Sequence, residues 1–386
     1  MRFTSSFKFM IIAASLAILV GCKGETVELE IPSTYVFERD GQSTVVYSGQ
    51  TERLDMMDEM SNYMKGTRSL TGTVDGARLL AMYANEAGAD FSGTYAKDLK
   101  SKSFSNDVSF FETWMTEMGT ASQKGTEAAD GTSGFLSETY GTGTPATADN
   151  AGYLVDANGI EYQQVIEKGL MGAVFFYQAM EIYLSSDRMG EIGNDDVEDG
   201  KTYTLMEHYF DEAFGYFGVP VDYPATTDGV RYWGKYTQAR NDGTGTGRFT
   251  YPGINQTLSD AWRKGRAAIV AKDYTARDEA IDVIVSNWEK VIASTAADYM
   301  ERAKDSRSPS QYKKHHYLSE AIGFSLALKY HFEGGNGLVA PKFDKAKLDA
   351  SLAIVGPTTN LWTLTDAQLD EAIGNLISAF SNGVIE

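Results

Sequence analysis

After position 50 the apolar residues recur every three or four places along most of the chain. TERLDMMDEMSNYMKG sets Leu54, Met57, Met60, Tyr63 and Met64 on one stripe that closes at Gly66, a helical signature. VDGARLLAMYANEAG and NDVSFFETWMTEMGTASQKGTEA continue with the same spacing. GIEYQQVIEKGLMGAVFFYQAMEIYL is the most apolar stretch of the body and predicts a helix close to the core. Its Gly169 and Gly172 each cost roughly 1 kcal/mol of helix propensity relative to alanine, so another helix is expected to come close there. TLMEHYFDEAFGYFG predicts another helix. Long helices follow in INQTLSDAWRKGRAAIVAKD, ARDEAIDVIVSNWEKVIASTAADYMERAK and SPSQYKKHHYLSEAIGFSLALKYHF. FDKAKLDASLAIV and TDAQLDEAIGNLISAF supply two more, with Asp366 as the expected cap of the last.

Elsewhere the periodicity lapses. Residues 130–152, rich in Gly, Thr and Ser, read as a loop and a candidate lid, and 219–253 read as loop-rich. From Lys23 to Gly49 the pattern is polar and β-prone, and Pro32 with the Asp40-Gly41 turn predicts an extended strap or short hairpin. The expected fold is therefore all-α, two bundle-like helical halves behind a short extended N-terminal strap. The expected boundaries are a signal peptide at 1–21, a tether and strap at 22–50, a first half at 51–185, an acidic connector at 186–201 and a second half at 202–386.

The N-terminus changes the setting. Arg2 and Lys8 precede the apolar run IIAASLAILV, which is shorter than the ~20 residues a membrane-spanning helix needs and reads as a signal-peptide core. It ends in Leu19-Val20-Gly21-Cys22, which resembles a bacterial lipobox, and Cys22 is the single cysteine of the chain. The resemblance implies lipidation at Cys22, a lipid anchor in a bacterial membrane and a body facing the periplasm or cell surface. Lys23 after the cysteine points to the outer membrane. With one acylated cysteine no disulfide forms, so the core alone must stabilise the body. The formal charge of −19 repels nucleic acid and attracts cations.

Two stretches share H-Y-x-x-E-A-x-G: HYFDEAFGYF at 208–217 and HYLSEAIGFS at 316–325. Residues four apart share a helical face, so His208 with Glu212, and His316 with Glu320, each present an imidazole beside a carboxylate. That donor set suits iron, zinc or another divalent metal, and a bundle interior is a place for it. The same pairs also occur as plain surface ion pairs. Gly215 and Gly323, poor helix formers at matching motif positions, predict a close helix contact in each copy.

Other chemistry is absent from the pattern. There is no H-E-x-x-H, no G-x-S-x-G and no complete calcium loop, since Val197 and Met206 stand at ligand positions. Arg248 breaks the glycine run 243–247 as a dinucleotide motif. Nothing commits the chain to catalysis. RYWGKY, Arg231 to Tyr236, gathers aromatics beside cations and raises glycan stacking as a rival role; plugging a bundle end is the alternative use of such a cluster.

The blocks Glu167–Ala179, Tyr209–Gly218 and His315–Tyr330, in that order, resemble the lipoprotein family called domain of unknown function 4856. More distantly the chain resembles imelysin-like proteins, envelope proteins of two helical halves associated with iron, some of them described as peptidases. Their G-x-H-x-x-E helix maps onto His316 and Glu320, here four apart and with Lys314 in the glycine position. The resemblance implies metal ligation by His316 and Glu320, with Glu167 as a further, weaker oxygen donor; the repeated motif makes His208–Glu212 their expected counterpart on a facing helix. It also implies a role in metal acquisition beside envelope uptake proteins, with a metallopeptidase as the alternative.

Overall fold

The structure, a computed structural model, describes residues 29–190, 193–304 and 310–380. The expected signal peptide, residues 1–21, and Cys22 lie outside the described residues. Helix accounts for 57% of the chain and strand for 6%, which makes the fold class all-α. A two-residue hairpin, β1 (Glu38–Arg39) with β2 (Gln42–Ser43), turns at Asp40-Gly41 within the N-terminal strap as expected. Helices α1 (Ser48–Met64), α2 (Gly76–Ala84) and α3 (Val108–Ser122) follow.

The expected loop at 130–152 is in part a second antiparallel hairpin. β3 (Gly134–Ser137) pairs with β4 (Gly152–Val155), Phe135 opposite Leu154. Its strands are four-residue apolar runs, too short to stand out among the surrounding Gly and Thr. Next comes α4 (Tyr162–Leu170), which continues through widened π-type turns at Met171–Phe176 and Gln178–Tyr183. Nearly every residue of this long helix is buried.

The short α5 (Ser186–Met189) precedes α6 (Leu205–Phe217), opened by a capping box of Thr204 and Glu207. RYWGKY is helical rather than loop, the start of α7 (Tyr232–Asp242). Its aromatics turn inward. Trp233 has no solvent exposure, and its Nε1–H donates to the Met171 carbonyl at 3.1 Å. Then come α8 (Ile254–Ala271), α9 (Tyr274–Lys304), α10 (Gln311–Gly334), α11 (Lys345–Ile354) and α12 (Asp366–Ser378). Thr365, not Asp366, caps α12, because its hydroxyl accepts the Gln368 N–H while the Gln368 side chain reaches back.

α10 lies along the long helix with the two chains running the same way. Glu161 meets His316 at one end, Gly323 abuts Lys168, Gly172 abuts Ala327, and Glu181 meets His331 at the other end. One hydrophobic core joins helices from before and after the acidic connector.

The glycine expectations have a physical counterpart. A Cβ on Gly172 would sit 2.5 Å from Ala327 Cα, on Gly323 2.4 Å from Lys168 Cβ, and on Gly215 2.8 Å from Tyr47 Cβ. Gly374, exposed on α12, has nothing within 4 Å of that position. Gly374→Ala is therefore expected to stabilise the fold by up to about 1 kcal/mol through propensity alone. Gly172→Ala should lose about 1–3 kcal/mol despite the same propensity gain, because the helices must part. Urea midpoints of the two variants moving in the same direction would refute this packing account.

Candidate functional site

The site is assembled where β4, the turn after it and α10 meet. Gly159, at φ +81°, lets the turn press on α10, where a Cβ would lie 2.3 Å from the His315 ring. His315 Nδ1–H donates to the Gly159 carbonyl at 2.7 Å, and the Glu161 N–H donates to Ser319 Oγ at 2.8 Å. These bonds set Glu161 against the next histidine.

His316 Nδ1–H donates to Glu161 Oε2 at 2.6 Å, and Nε2 lies 3.1 Å from Glu320 Oε1. The ring stacks on Tyr153 at 4.3 Å with 8° between planes. Burial opposes the charge on this imidazole, but the two carboxylates outweigh it, Glu161 foremost, and raise its pKa from 6.5 to about 10. His315, adjacent in sequence, has only a backbone carbonyl for a partner. Burial dominates there and lowers its pKa to about 4. Neighbouring histidines thus hold opposite charge states at neutral pH.

Glu320 is buried too, and burial works against its charge, yet His316, Lys168 and the Tyr299 hydroxyl bring its pKa down. The Lys168 ammonium bonds Glu167 Oε1 at 2.7 Å and remains charged because Glu167 and Glu320 both act on it. Glu167 also accepts from Ser61 Oγ at 2.5 Å and Gln163 Nε2 at 3.1 Å. Despite burial, these partners depress its carboxyl to about 2, Lys168 foremost among them. The result is a buried chain of alternating charge: Glu161, His316, Glu320, Lys168, Glu167.

Three of the residues picked from sequence, His316, Glu320 and Glu167, thus belong to one network. Glu167 enters it through an ammonium rather than through His316. Glu161 and Lys168 were missed. Lys168 carried a signal, a charge beside Glu167 inside the most apolar helix, which only a buried pair would tolerate. Glu161 carried none, because its role depends on the fold of the turn.

His208 and Glu212 stand elsewhere. Their Nε2 and Oε2 are 3.8 Å apart, the ring stacks on Tyr203 at 4.5 Å, and Glu212 Oε1 accepts from Gln50 Nε2 at 2.9 Å. Glu212 borders Tyr183, the last residue of the long helix, whereas Glu161 precedes its first. At about 1.5 Å per residue the two pairs are separated by on the order of 30 Å. They form no shared centre. α6 and α10 share a motif because each carries a glycine at a close crossing, and the two motif copies lie at opposite ends of the long helix.

The family model described as Domain of unknown function (DUF4856) matches residues 32–381. The chain belongs to this family. No curated protein and no solved structure matches, so no match carries the imelysin-like resemblance. Within this DUF4856 chain, no group of three or more His, Cys, Asp or Glu side chains among the described residues is arranged to hold a metal ion. No helix among them is long and apolar enough to cross a membrane.

Proposed function

We propose that this DUF4856 protein is a lipid-anchored envelope protein whose helical body binds a divalent metal, iron foremost, through His316 and Glu320. Leu19 to Cys22 supports the anchor and a body facing the periplasm or cell surface, and Lys23 supports an outer-membrane location. One observation carries the metal reading: the 2.6 Å bond from His316 Nδ1 to Glu161. It fixes the tautomer and leaves Nε2 as the nitrogen that faces Glu320, the carboxylate–histidine–metal arrangement. An ion replacing the Nε2 proton would have two protein side chains as ligands, and water or a small bound ligand would complete its shell. Glu167 lies outside that shell, since Lys168 and Ser61 occupy its oxygens.

No open site with a free general base supports the peptidase reading, because each carboxylate near His316 already has a cationic or hydroxyl partner. The burial of Trp233 removes the stacking platform that the glycan reading needs.

The test is equilibrium dialysis of the soluble body against iron(II) or zinc, with metal counted by mass spectrometry. Wild type should hold metal that Glu320→Gln and His316→Ala lose. Because the ion displaces a proton from an imidazole of pKa about 10, its apparent affinity should rise about tenfold per pH unit between pH 7 and 9. Uptake unchanged in both variants would end the reading.

A further inference from the structure

At the far end of α10 a second histidine is held between two glutamates, more deeply than the first. The side chains of His331, Glu289 and Glu181 are 1%, 0% and 1% exposed. His331 Nδ1–H donates to Glu289 Oε1 at 2.5 Å, and Glu289 Oε2 accepts the Lys342 N–H at 2.9 Å. On the other side of the ring, Nε2–H donates to the Val339 carbonyl at 3.0 Å, and Glu181 Oε1 lies 3.4 Å from Nε2. Glu181 Oε2 accepts the N–H groups of Asn336 at 2.6 Å and Gly337 at 3.1 Å. Its Oε1, equally buried, has no hydrogen-bond partner. A carboxylate oxygen hidden from water without a donor is costly unless a cation satisfies it.

The space in front of that oxygen exists because residue 337 is glycine. A Cβ there would lie 3.0 Å from Glu181 Oε1, 3.0 Å from His331 Nε2 and 3.2 Å from the Val339 oxygen. Three donors of different kinds therefore converge on one unfilled point.

We propose that His331 Nε2, Glu181 Oε1 and the Val339 carbonyl form a binding site for one divalent first-row metal ion, distinct from the His316 pair. Bonds of about 2.1 Å to atoms 3.0 and 3.4 Å apart subtend roughly 90° and 110°, ordinary values for such ions. One imidazole with two oxygens suits zinc, manganese(II) or iron(II). The ion takes the place of the Nε2 proton, which leaves to solvent. Glu289 stays on Nδ1, orienting the ring and increasing its basicity. The partly exposed loop 335–342 covers the site, so the ion also ties that loop to α10 and the long helix.

Gly337→Ala tests this directly, because its methyl would stand 3.0–3.2 Å from all three ligand atoms and crowd the ion without removing a ligand. The probes are zinc and manganese(II), dialysed separately against the soluble body carrying Glu320→Gln, which silences the other site. That protein should retain one equivalent of metal, and adding Gly337→Ala should weaken binding at least tenfold. Glu181→Gln, which preserves shape, should do the same and stands in if the alanine variant fails to fold. Absence of metal from the Glu320→Gln protein, or equal binding after Gly337→Ala in a folded sample, overturns the proposal. Either result leaves the His316 reading to its own test.

Discussion

Arg266→Met is expected to destabilise the fold by about 3–5 kcal/mol, because it takes the shared guanidinium from two buried carboxylates and leaves Asp211 with no cation. Arg266 has no solvent exposure. Its Nε donates to Asp211 Oδ1 at 2.9 Å, one terminal nitrogen to Glu207 Oε1 at 3.0 Å and the other to Thr44 Oγ1 at 2.9 Å. The guanidinium also lies over the Phe37 ring at 4.9 Å. Methionine restores most of the volume and none of the charge. Glu207 keeps Arg39 at 2.9 Å, but Asp211 keeps only the Tyr35 hydroxyl at 2.8 Å. Burial already pushes the Asp211 carboxyl up to about 6, and removing the guanidinium, its chief counterweight, raises it further. Urea unfolding at pH 7 measures the loss, and adding Glu207→Gln with Asp211→Asn should recover much of it. A loss below 1 kcal/mol would show that the network is not what binds the strap.

The same variant should release the strap before the body unfolds. Tyr35 stacks on Phe214 at 3.8 Å and donates its N–H to the Val221 carbonyl at 2.7 Å, while Thr44 and Phe37 both touch Arg266. Arg266 therefore holds the centre of the strap, with Arg263 of α8 donating to the Ser33 carbonyl at 2.6 Å nearer its start. Hydrogen exchange at the Tyr35 amide should accelerate well ahead of the α9 amides.

How far the sequence reaches follows from these contacts. Helical stripes are local, and each of the long periodic segments is a helix where expected. Gly169, Gly172, Gly215 and Gly323 foretold close crossings because glycine in a helix has a cost that only packing offsets. The β3–β4 hairpin escaped because four-residue strands in Gly- and Thr-rich chain give no period. α7 escaped because Pro220, Pro224 and the glycine run dominate its surroundings. The site was legible only in part. His316 and Glu320 share a helix and so a spacing, whereas Glu161 arrives from 155 positions away. His331 is likewise matched with Glu289 and Glu181 through tertiary packing alone. A repeated motif reports repeated local geometry; whether two copies face each other is decided by the helix between them.

The pH dependence of stability isolates His316. Its pKa is about 10 in the folded protein against 6.5 in the unfolded chain, so the folded state binds the proton more tightly. The stabilisation is therefore complete below pH 6.5 and is lost as pH rises from there to about 10. Glu320 and Glu167 behave in the opposite sense. Both carboxyls are lowered in the fold, Glu167 to about 2, so their contribution is present above the unfolded value of 4.5 and fades on acidification. The network as a whole is strongest between about pH 4.5 and 6.5. Other buried groups titrate as well, among them His331, Glu181, Glu289 and Asp211, so the informative quantity is a difference. His316→Gln keeps a polar side chain but loses the positive charge between Glu161 and Glu320. Its loss of stability should be about 3–5 kcal/mol at pH 6, the cost of breaking a buried pair, and should shrink steadily toward pH 10. Urea unfolding of both proteins across that range provides the measurement. A wild-type-minus-variant difference that stays flat from pH 6 to 10 would mean that His316 is neutral in the fold and that Glu161 and Glu320 hold it without charge.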